Sequence, residues 1–598
     1  MRAPPAPRAP RGARAAASSA AARALVLVLA LFAAASVAGG PAARAAAPAP
    51  ATSARGMVAS PQADATRAGA AVLRAGGNAV DAAIATSFAL SVSDPHHSGI
   101  GGGGFLLVRL ADGAAFAVDA RETAPAAATR DMFVVPGVPE RASQHGALAV
   151  ATPGLVAGLA LAHARWGTRP WAELVEPAVR LAEEGFAIGA SHAAAVAYWK
   201  GAGHAERFPE TAAIQLPPGG APIAPGFRLV QRELGATLRR IAAEGPRVLY
   251  GGPLGEAIAR EVRRRGGVLA ADDLARYAPR VREPVRGTYR GLEVLSFPPP
   301  SSGGVALVQM LNVLEGFPLS ARGAGSSASW HLVAEAMKLA FADRQAYLGD
   351  PDFVDVPVAA LVSEPYAERL RARINPPRWR RAPWTWTRDE VALEVDGPGE
   401  PARGTGTTHF SITDAFGNAV AVTQTINLLF GSGLTVPGTG IVLNDEMDDF
   451  VTGPGRPNAF GLVATSDANA VAPGKRPLSS MTPTIVVRAG RPYLVTGSPG
   501  GPRIITTTLL TLLNVVDWGM DAAEAVAAPR LHHQWRPDVL EVEPPTPADV
   551  VDGLRRRGHA VRVADREWSS AQLVVVDPVT GLHTGASDPR GDGAAWGP

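Results

Sequence analysis

The 598-residue chain contains no cysteine. That excludes disulfides, thiolate metal sites, a cysteine nucleophile and a lipoprotein anchor. It fits an exported protein that folds without oxidation. Lysine is almost absent too: Lys200, Lys338 and Lys475 are the whole complement, so arginine supplies nearly all the positive charge. Charged residues make up 19% against 47% hydrophobic, which argues for a sizeable core and against wholesale disorder. No internal repeat is visible. The formal charge of +3 gives no case for a nucleic-acid partner, because residues 1–46 hold six arginines and no acid. The remainder is therefore near −3.

Those first residues read as a targeting leader. Arg2, Arg8, Arg11, Arg14 and Arg23 precede an apolar run from Ala24 to Ala38. Small-residue cleavage sites follow at Ser36-Val37-Ala38 or Ala43-Arg44-Ala45. The pattern predicts a signal peptide over residues 1–46, export to the periplasm or medium, and no stable membrane anchor. The apolar run is short for a transmembrane span.

Further along, Ser60-Pro61 has the chemistry of a helix start, with the helix ending near Arg74 before Gly76-Gly77. Asn78 is placed to cap a second helix over 79–91, apolar on most faces and so buried. Pro95-His96-His97-Ser98 reads as a loop. Gly99-Ile-Gly101-Gly102-Gly103-Gly104 matches G-x-G-x-x-G, but a helix precedes it and the strand 105–110 follows. A dinucleotide site needs the opposite order, so close backbone packing is the better reading. The strand 115–120 leads into Arg121, by itself an ordinary strand-end charge. Residues 154–184 are helical and alanine-rich, and 229–244, 255–265, 304–314 and 326–347 read as amphipathic helices. His192 and His204 lack metal-ligand spacing and read as surface or structural residues. Residues 375–406 are rich in proline, arginine and glycine and carry Trp379, Trp384 and Trp386, which predicts a linker.

At the end of that linker stands Gly404-Thr-Gly406-Thr407-Thr408-His-Phe-Ser411. Residues 407–413 and 419–426 read as strands, and Asp414 to Asn418 as the turn between them. A hairpin symmetric about Phe416 sets Thr407 opposite Thr425. Paired threonines in hairpins commonly do no more than stabilise a sheet. A threonine that becomes an N-terminus, however, gains a base in its own α-amino group, with a pKa of about 7.7–8.0.

The run from Thr407 through Gly417-Asn418-Ala-Val-Ala-Val-Thr-Gln-Thr-Ile-Asn427 to Asn444-Asp-Glu446-Met-Asp-Asp449-Phe450 resembles the γ-glutamyltransferase family. Further matches are Arg121, Ser479-Ser480 and Gly500-Gly501, in family order, over a stretch from about Gly56 to the C-terminus. The resemblance implies a mixed α/β fold, an αββα sandwich of two stacked, mainly antiparallel sheets flanked by helices. It implies an N-terminal-nucleophile hydrolase that cuts itself between Gly406 and Thr407, giving a large subunit over 47–406 and a small one over 407–598 that remain a heterodimer. The implied roles are Thr407 as nucleophile, Thr425 as its orienting partner, and Gly500 and Gly501 as the oxyanion hole. Arg121, Ser479 and Ser480 would hold the substrate α-carboxylate, and Glu446 and Asp449 its α-ammonium. Residues 454–461 resemble the lid loop of bacterial members. There Phe460 stands where a tyrosine is common, so a hydroxyl bond to Asn427 is lost and looser closure is expected. The implied donors are glutathione and other γ-glutamyl compounds. Water, amino acids or peptides would accept, and neither metal nor organic cofactor is called for.

Three other readings stay open on the residues alone. Related machinery serves β-lactam acylases and poly-γ-glutamate hydrolases. An exported binding protein without turnover is the non-enzymatic reading. Alone, Ser-Ser is uninformative, adjacent glycines usually mark a turn, and clustered acids suit a solvated loop or a cation site.

Overall fold

The computed structural model describes residues 1–2, 4, 49–374, 405–453 and 455–598. The expected leader, apart from residues 1, 2 and 4, and the linker over 375–404 lie outside the described residues, as does Pro454 of the lid. Residues 49–598 form one unit.

Two seven-stranded antiparallel sheets dominate that unit. In chain order their strands are β1 (Ala51–Ser53), β2 (Gly56–Ser60), β3 (Gly103–Arg109), β4 (Ala115–Ala120), β5 (Arg280–Arg282), β6 (Val285–Tyr289), β7 (Leu292–Ser296), β8 (Thr405–Asp414), β9 (Ala419–Leu428), β10 (Thr484–Arg488), β11 (Arg491–Gly497), β12 (Gln572–Val576), β13 (His583–Ser587) and β14 (Ala594–Trp596). One sheet runs β14-β2-β8-β9-β3-β4-β5 and the other β1-β13-β12-β11-β10-β7-β6.

Strand alternation sorts the side chains into two cores. Phe105, Leu107, Ala419 and Ala421 meet Leu295, Ile485, Val495 and Val574 between the sheets. The intervening Leu106, Val108, Phe410, Ile412, Val420 and Val422 face outward into a helix-covered core. Helices α1 (Ala63–Arg74), α2 (Ala79–Ser93), α3 (Leu155–Trp166) and α4 (Trp171–Glu184) lie on that side. Helices α5 (Gly303–Glu315) and α7 (Arg503–Val516) cover the second sheet, and α6 (Ser327–Tyr347) packs on α5. The layering is therefore αββα, as expected. Every residue of α2 is buried, and its start carries a capping box between Asn78 and Asp81. No described helix is long and apolar enough to cross a membrane.

Two local readings are corrected. The helix expected from Ser60-Pro61 begins at Ala63, and its N-cap Gln62 makes no side-chain bond. Ser60 ends β2 instead, with its hydroxyl bonded to Thr66 at 2.7 Å, because pairing with β14 claims its backbone. His192, read as surface or structural, is structural: it is buried.

The glycine-rich run is packing, as its inverted context indicates. A Cβ on Gly102 would stand 2.0 Å from the Thr425 carbonyl oxygen, and one on Gly103 would stand 2.4 Å from the Glu122 carboxylate. Only glycine lets this chain pass beneath the hairpin.

Candidate active site

The β8–β9 hairpin pairs Thr407 with Thr425, as the symmetric turn requires. The register slips by one residue between Gly406 and Thr407, forming a bulge there. Thr407 has the parity of His409 and Ser411, so its side chain faces the gap between the sheets. Its Oγ1 lies 2.9 Å from Thr425 Oγ1, with both side chains buried. Thr425 Oγ1 donates to the Gly406 carbonyl at 2.7 Å and accepts from the Asn427 N–H at 2.8 Å. Having spent its one proton on Gly406, Thr425 leaves Thr407 to act as the donor between the two hydroxyls. Asn427 has a positive φ of 78°, and its amide donates to the Asp445 carbonyl at 3.1 Å.

Below the threonines a small pocket of about 20 Å³ is lined by Arg121, Asn427, Glu446, Asp449, Ser479, Ser480, Phe460 and Gly501, among others. Nearly every residue singled out in the sequence converges here. Arg121 is wholly buried, so it is no surface charge. Its Nε donates to the Pro477 carbonyl at 3.1 Å, and its two terminal nitrogens pair with Glu446 and Asp449. Burial opposes the Arg121 charge, but Glu446, Asp449 and Glu122 outweigh it and hold the guanidinium protonated. The acids belong to a buried 3-10 turn, Glu446–Asp449, which rules out a solvated loop. Burial lifts Glu446 to about 7 against the pull of Arg121.

Ser479 is fixed by the proline turn before α5. Its N–H donates to the Pro300 carbonyl at 2.9 Å, and its carbonyl accepts from Ser302 N at 2.8 Å. Its Oγ accepts from Met481 N at 3.1 Å. Ser480 Oγ accepts from Arg344 at 3.2 Å. Gly500 and Gly501 sit between β11 and α7 with φ of 134° and 57°. Their carbonyls accept from Arg503 N and Ile504 N, capping the helix start, and leave both glycine N–H groups without a described partner. A Cβ on Gly501 would lie 2.7 Å from the Phe460 ring. Phe460 closes the pocket by this stacking, and Gln534 holds the lid by donating to the carbonyls of Phe460 and Gly461 at 3.3 and 3.2 Å.

Two site residues were missed. Glu122 lies beside the Arg121–Glu446 pair, 3.5 Å from Arg121, with its carboxyl pushed well up by burial and by the Glu446 charge. Its only signal was adjacency to Arg121. Arg344, on α6, is buried beneath Ser480 and Ser302, makes no ion pair among the described residues, and is lowered to about 10 by burial. Nothing in its amphipathic helix marked it.

On the far side of Thr407 a larger cavity of about 490 Å³ opens, lined by Thr407, Thr408, Gly500, Arg503, Tyr198, Asp94 and His97, among others. Thr407 thus stands between two spaces.

A sheet–sheet sandwich with a strand-end hydroxyl at the mouth of its central gap is the architecture of N-terminal-nucleophile hydrolases. The gamma-glutamyltranspeptidase family model matches residues 65–597. The chain is 45% identical over 547 residues to a glutathione hydrolase proenzyme of Escherichia coli (strain K12), covering 90% of this chain and 91% of that one. It is 42% identical over 552 residues to the acylase ACY 1 proenzyme of Pseudomonas sp. (strain V22), covering 91% and 94%. Among solved structures, the cephalosporin acylase of Bacillus halodurans superposes with a TM-score of 0.79 at 30% identity, covering 94% of this chain and 98% of that one. The chain belongs to the gamma-glutamyltranspeptidase family.

Proposed function

We propose that this protein is a self-processing γ-glutamyltransferase and glutathione hydrolase. The observation that carries the reading is the continuous contact from Thr407 Oγ1 to Thr425 Oγ1 to the Gly406 carbonyl, at 2.9 and 2.7 Å. Thr425 accepts a hydrogen bond from the Thr407 hydroxyl and polarises the carbonyl of the bond to be cut. In processing, Thr407 Oγ1 attacks the Gly406 carbonyl carbon, and the peptide C–N bond breaks as its nitrogen takes the proton that the hydroxyl gives up. The ester so formed is hydrolysed by water, leaving Gly406 as a carboxylate and Thr407 with a free amine. The products span residues 47–406, once a leader of residues 1–46 is removed, and 407–598. Both contribute strands to the same sheet, so they stay together as a heterodimer.

In turnover the freed amine takes the hydroxyl proton, and Thr407 Oγ1 attacks the γ-amide carbon of a donor such as glutathione. The N–H groups of Gly500 and Gly501 receive the oxyanion. The leaving amine takes the proton, and water, or an amino acid or peptide acceptor, releases the γ-glutamyl ester from Thr407. The resident contacts in the pocket rehearse donor recognition. A donor's α-carboxylate takes Arg121 from Glu446 and Asp449, and its α-ammonium takes the acids that Arg121 releases. Ser479 and Ser480 add hydroxyl donors to the carboxylate. No metal or organic cofactor enters this chemistry. A side chain with a carboxylate but no ammonium, as in a glutaryl acylase substrate, would leave Glu446 and Asp449 facing a like charge. The leader reading places the enzyme in the periplasm or the medium.

The test is a denaturing gel with N-terminal sequencing of the small fragment, followed by release of a chromogenic amine from a γ-glutamyl anilide, with and without an acceptor dipeptide. A fragment beginning at Thr407 and acceptor-stimulated release support the reading. A single uncut chain, or release from a glutaryl anilide alone, overturns it.

A further inference from the structure

The larger cavity has an inner wall that the proposed reaction does not use. It is made by Asp94 and His97, from the loop that follows α2, Asp94-Pro95-His96-His97. His97 Nδ1 is hydrogen-bonded to Asp94 Oδ1 at 2.9 Å, and His96 Nε2 lies 3.4 Å from the same oxygen. One ligand atom from each of the three residues falls within 4.8 Å of the others.

Two features separate this group from an ordinary buried histidine pair. The His96 ring is wholly buried, yet neither of its nitrogens has a hydrogen-bond partner among the described residues. Asp94 Oδ2 is buried without a partner as well. A buried imidazole normally satisfies both nitrogens, since a stranded donor or acceptor costs about 1–3 kcal/mol. A cation would take up Asp94 Oδ2 and the lone pair of one His96 nitrogen, acceptors that packing leaves unused.

We propose that Asp94, His96 and His97 bind a divalent transition-metal ion of the zinc class. Bonds of about 2.0–2.1 Å at tetrahedral angles put ligand atoms about 3.3 Å apart, close to the 2.9 and 3.4 Å found here. Two imidazoles and a carboxylate suit such an ion, and the chain has no cysteine to favour a softer one. Asp94 and His97 line the cavity, and the His97 side chain is 23% exposed. That provides an entry path and leaves a coordination position facing the space shared with Thr407 and Thr408.

The loop is tied to the catalytic hairpin. The His97 carbonyl accepts from Ile426 N at 3.3 Å, and the His96 carbonyl accepts from Phe430 N at 3.1 Å. These bonds hold the end of β9, where Thr425 and Asn427 sit. An ion that fixes the loop therefore stiffens the strand end that positions the nucleophile's partner.

A second buried cluster, His331, Glu335 and His559, supplies the internal control. There the two rings bond to each other at 2.8 Å, and Lys338 places its ammonium 2.6 Å from Glu335. That cluster already holds a cation of its own.

The experiment uses tag-free, full-length protein stripped with a chelator, then titrated with Zn2+ against a chromogenic indicator and with Co2+ by visible absorption. One equivalent per chain, cobalt ligand-field bands and a raised Tm are expected. His96→Leu and His97→Gln should abolish all three, while His331→Leu keeps them. Should His96→Leu fail to fold, His97→Gln at the cavity edge decides alone. No retained ion, retention in His97→Gln, or loss in His331→Leu would overturn the assignment.

Discussion

Thr407 and Thr425 face each other across a β-hairpin with their hydroxyl oxygens 2.9 Å apart, and the second hydroxyl reaches back to the carbonyl that precedes the first. One side chain thus contacts both the Thr407 hydroxyl and the carbonyl of the Gly406–Thr407 peptide bond. Self-cleavage and turnover are expected to depend on it together.

Thr407→Ala should remain a single chain after leader removal, because no other described hydroxyl stands against the Gly406 carbonyl with Thr425. Wild-type protein should give fragments of roughly 37 and 20 kDa, from a mean residue mass of 61.6 kDa over 598 residues. A denaturing gel decides the matter, and a Thr407→Ala protein that still splits would remove Thr407 from the reaction.

Thr425→Val keeps the β-branched shape and the strand pairing but removes the hydroxyl. Misplacing a reacting group by about 1 Å commonly costs on the order of 10²-fold. The loss should fall on kcat, since the donor is gripped elsewhere, and processing should slow as well. Steady-state kinetics on correctly cleaved variant would show this, and a wild-type kcat would reduce the pair to sheet packing.

Arg121→Lys keeps a positive charge but loses the planar fork that meets Glu446 and Asp449 at once. KM for γ-glutamyl donors should rise at least tenfold, the equivalent of about 1.4 kcal/mol. An unchanged KM would make the arginine purely structural. Arg344→Met should raise KM by a smaller factor, because Arg344 acts through Ser480 rather than on the donor.

Donor affinity should depend on pH near neutrality. Burial lifts Glu446 to about 7, so below that pH the carboxyl is protonated and offers no charge to an ammonium group. KM should therefore fall as pH rises through about 7. The same raised pKa means that the folded state holds a proton the unfolded chain has released. Its stabilising effect is present below the unfolded carboxyl pKa and is lost as pH climbs through about 7. Glu446→Gln should flatten the KM profile, and an unaltered profile would assign the titration to another group.

Gly102→Ala would put a methyl group 2.0 Å from the Thr425 carbonyl oxygen. Overpacking of this kind costs about 1–3 kcal/mol, and here it pushes on the strand that carries Thr425. A lowered Tm and slowed processing should appear together in thermal melts and gels. A Tm equal to wild type would mean that the hairpin yields freely.

Local pattern alone determined the hairpin, because a short turn and two runs of β-branched residues fix which side chains face each other. Thr407 opposite Thr425 followed from that symmetry. Asn78 as a cap and α2 as a buried helix followed from composition, and the rejection of a dinucleotide loop from element order. Ser60-Pro61 misled, because strand pairing with a segment more than 500 residues away outweighed a helix-start signal. Arg121, Glu446, Asp449, Ser479, Ser480 and Gly501 come from four separate stretches, and no periodicity says that they share a pocket. The resemblance to a family named them, but only the stacking of two sheets brings them within reach of one guanidinium. Glu122 and Arg344 lie further from sequence reasoning still, since a charge becomes part of a site only when burial removes the water that would screen it. The same holds for His96. A loop histidine carries no message in sequence, and its two unpartnered nitrogens exist only because the fold closes over them.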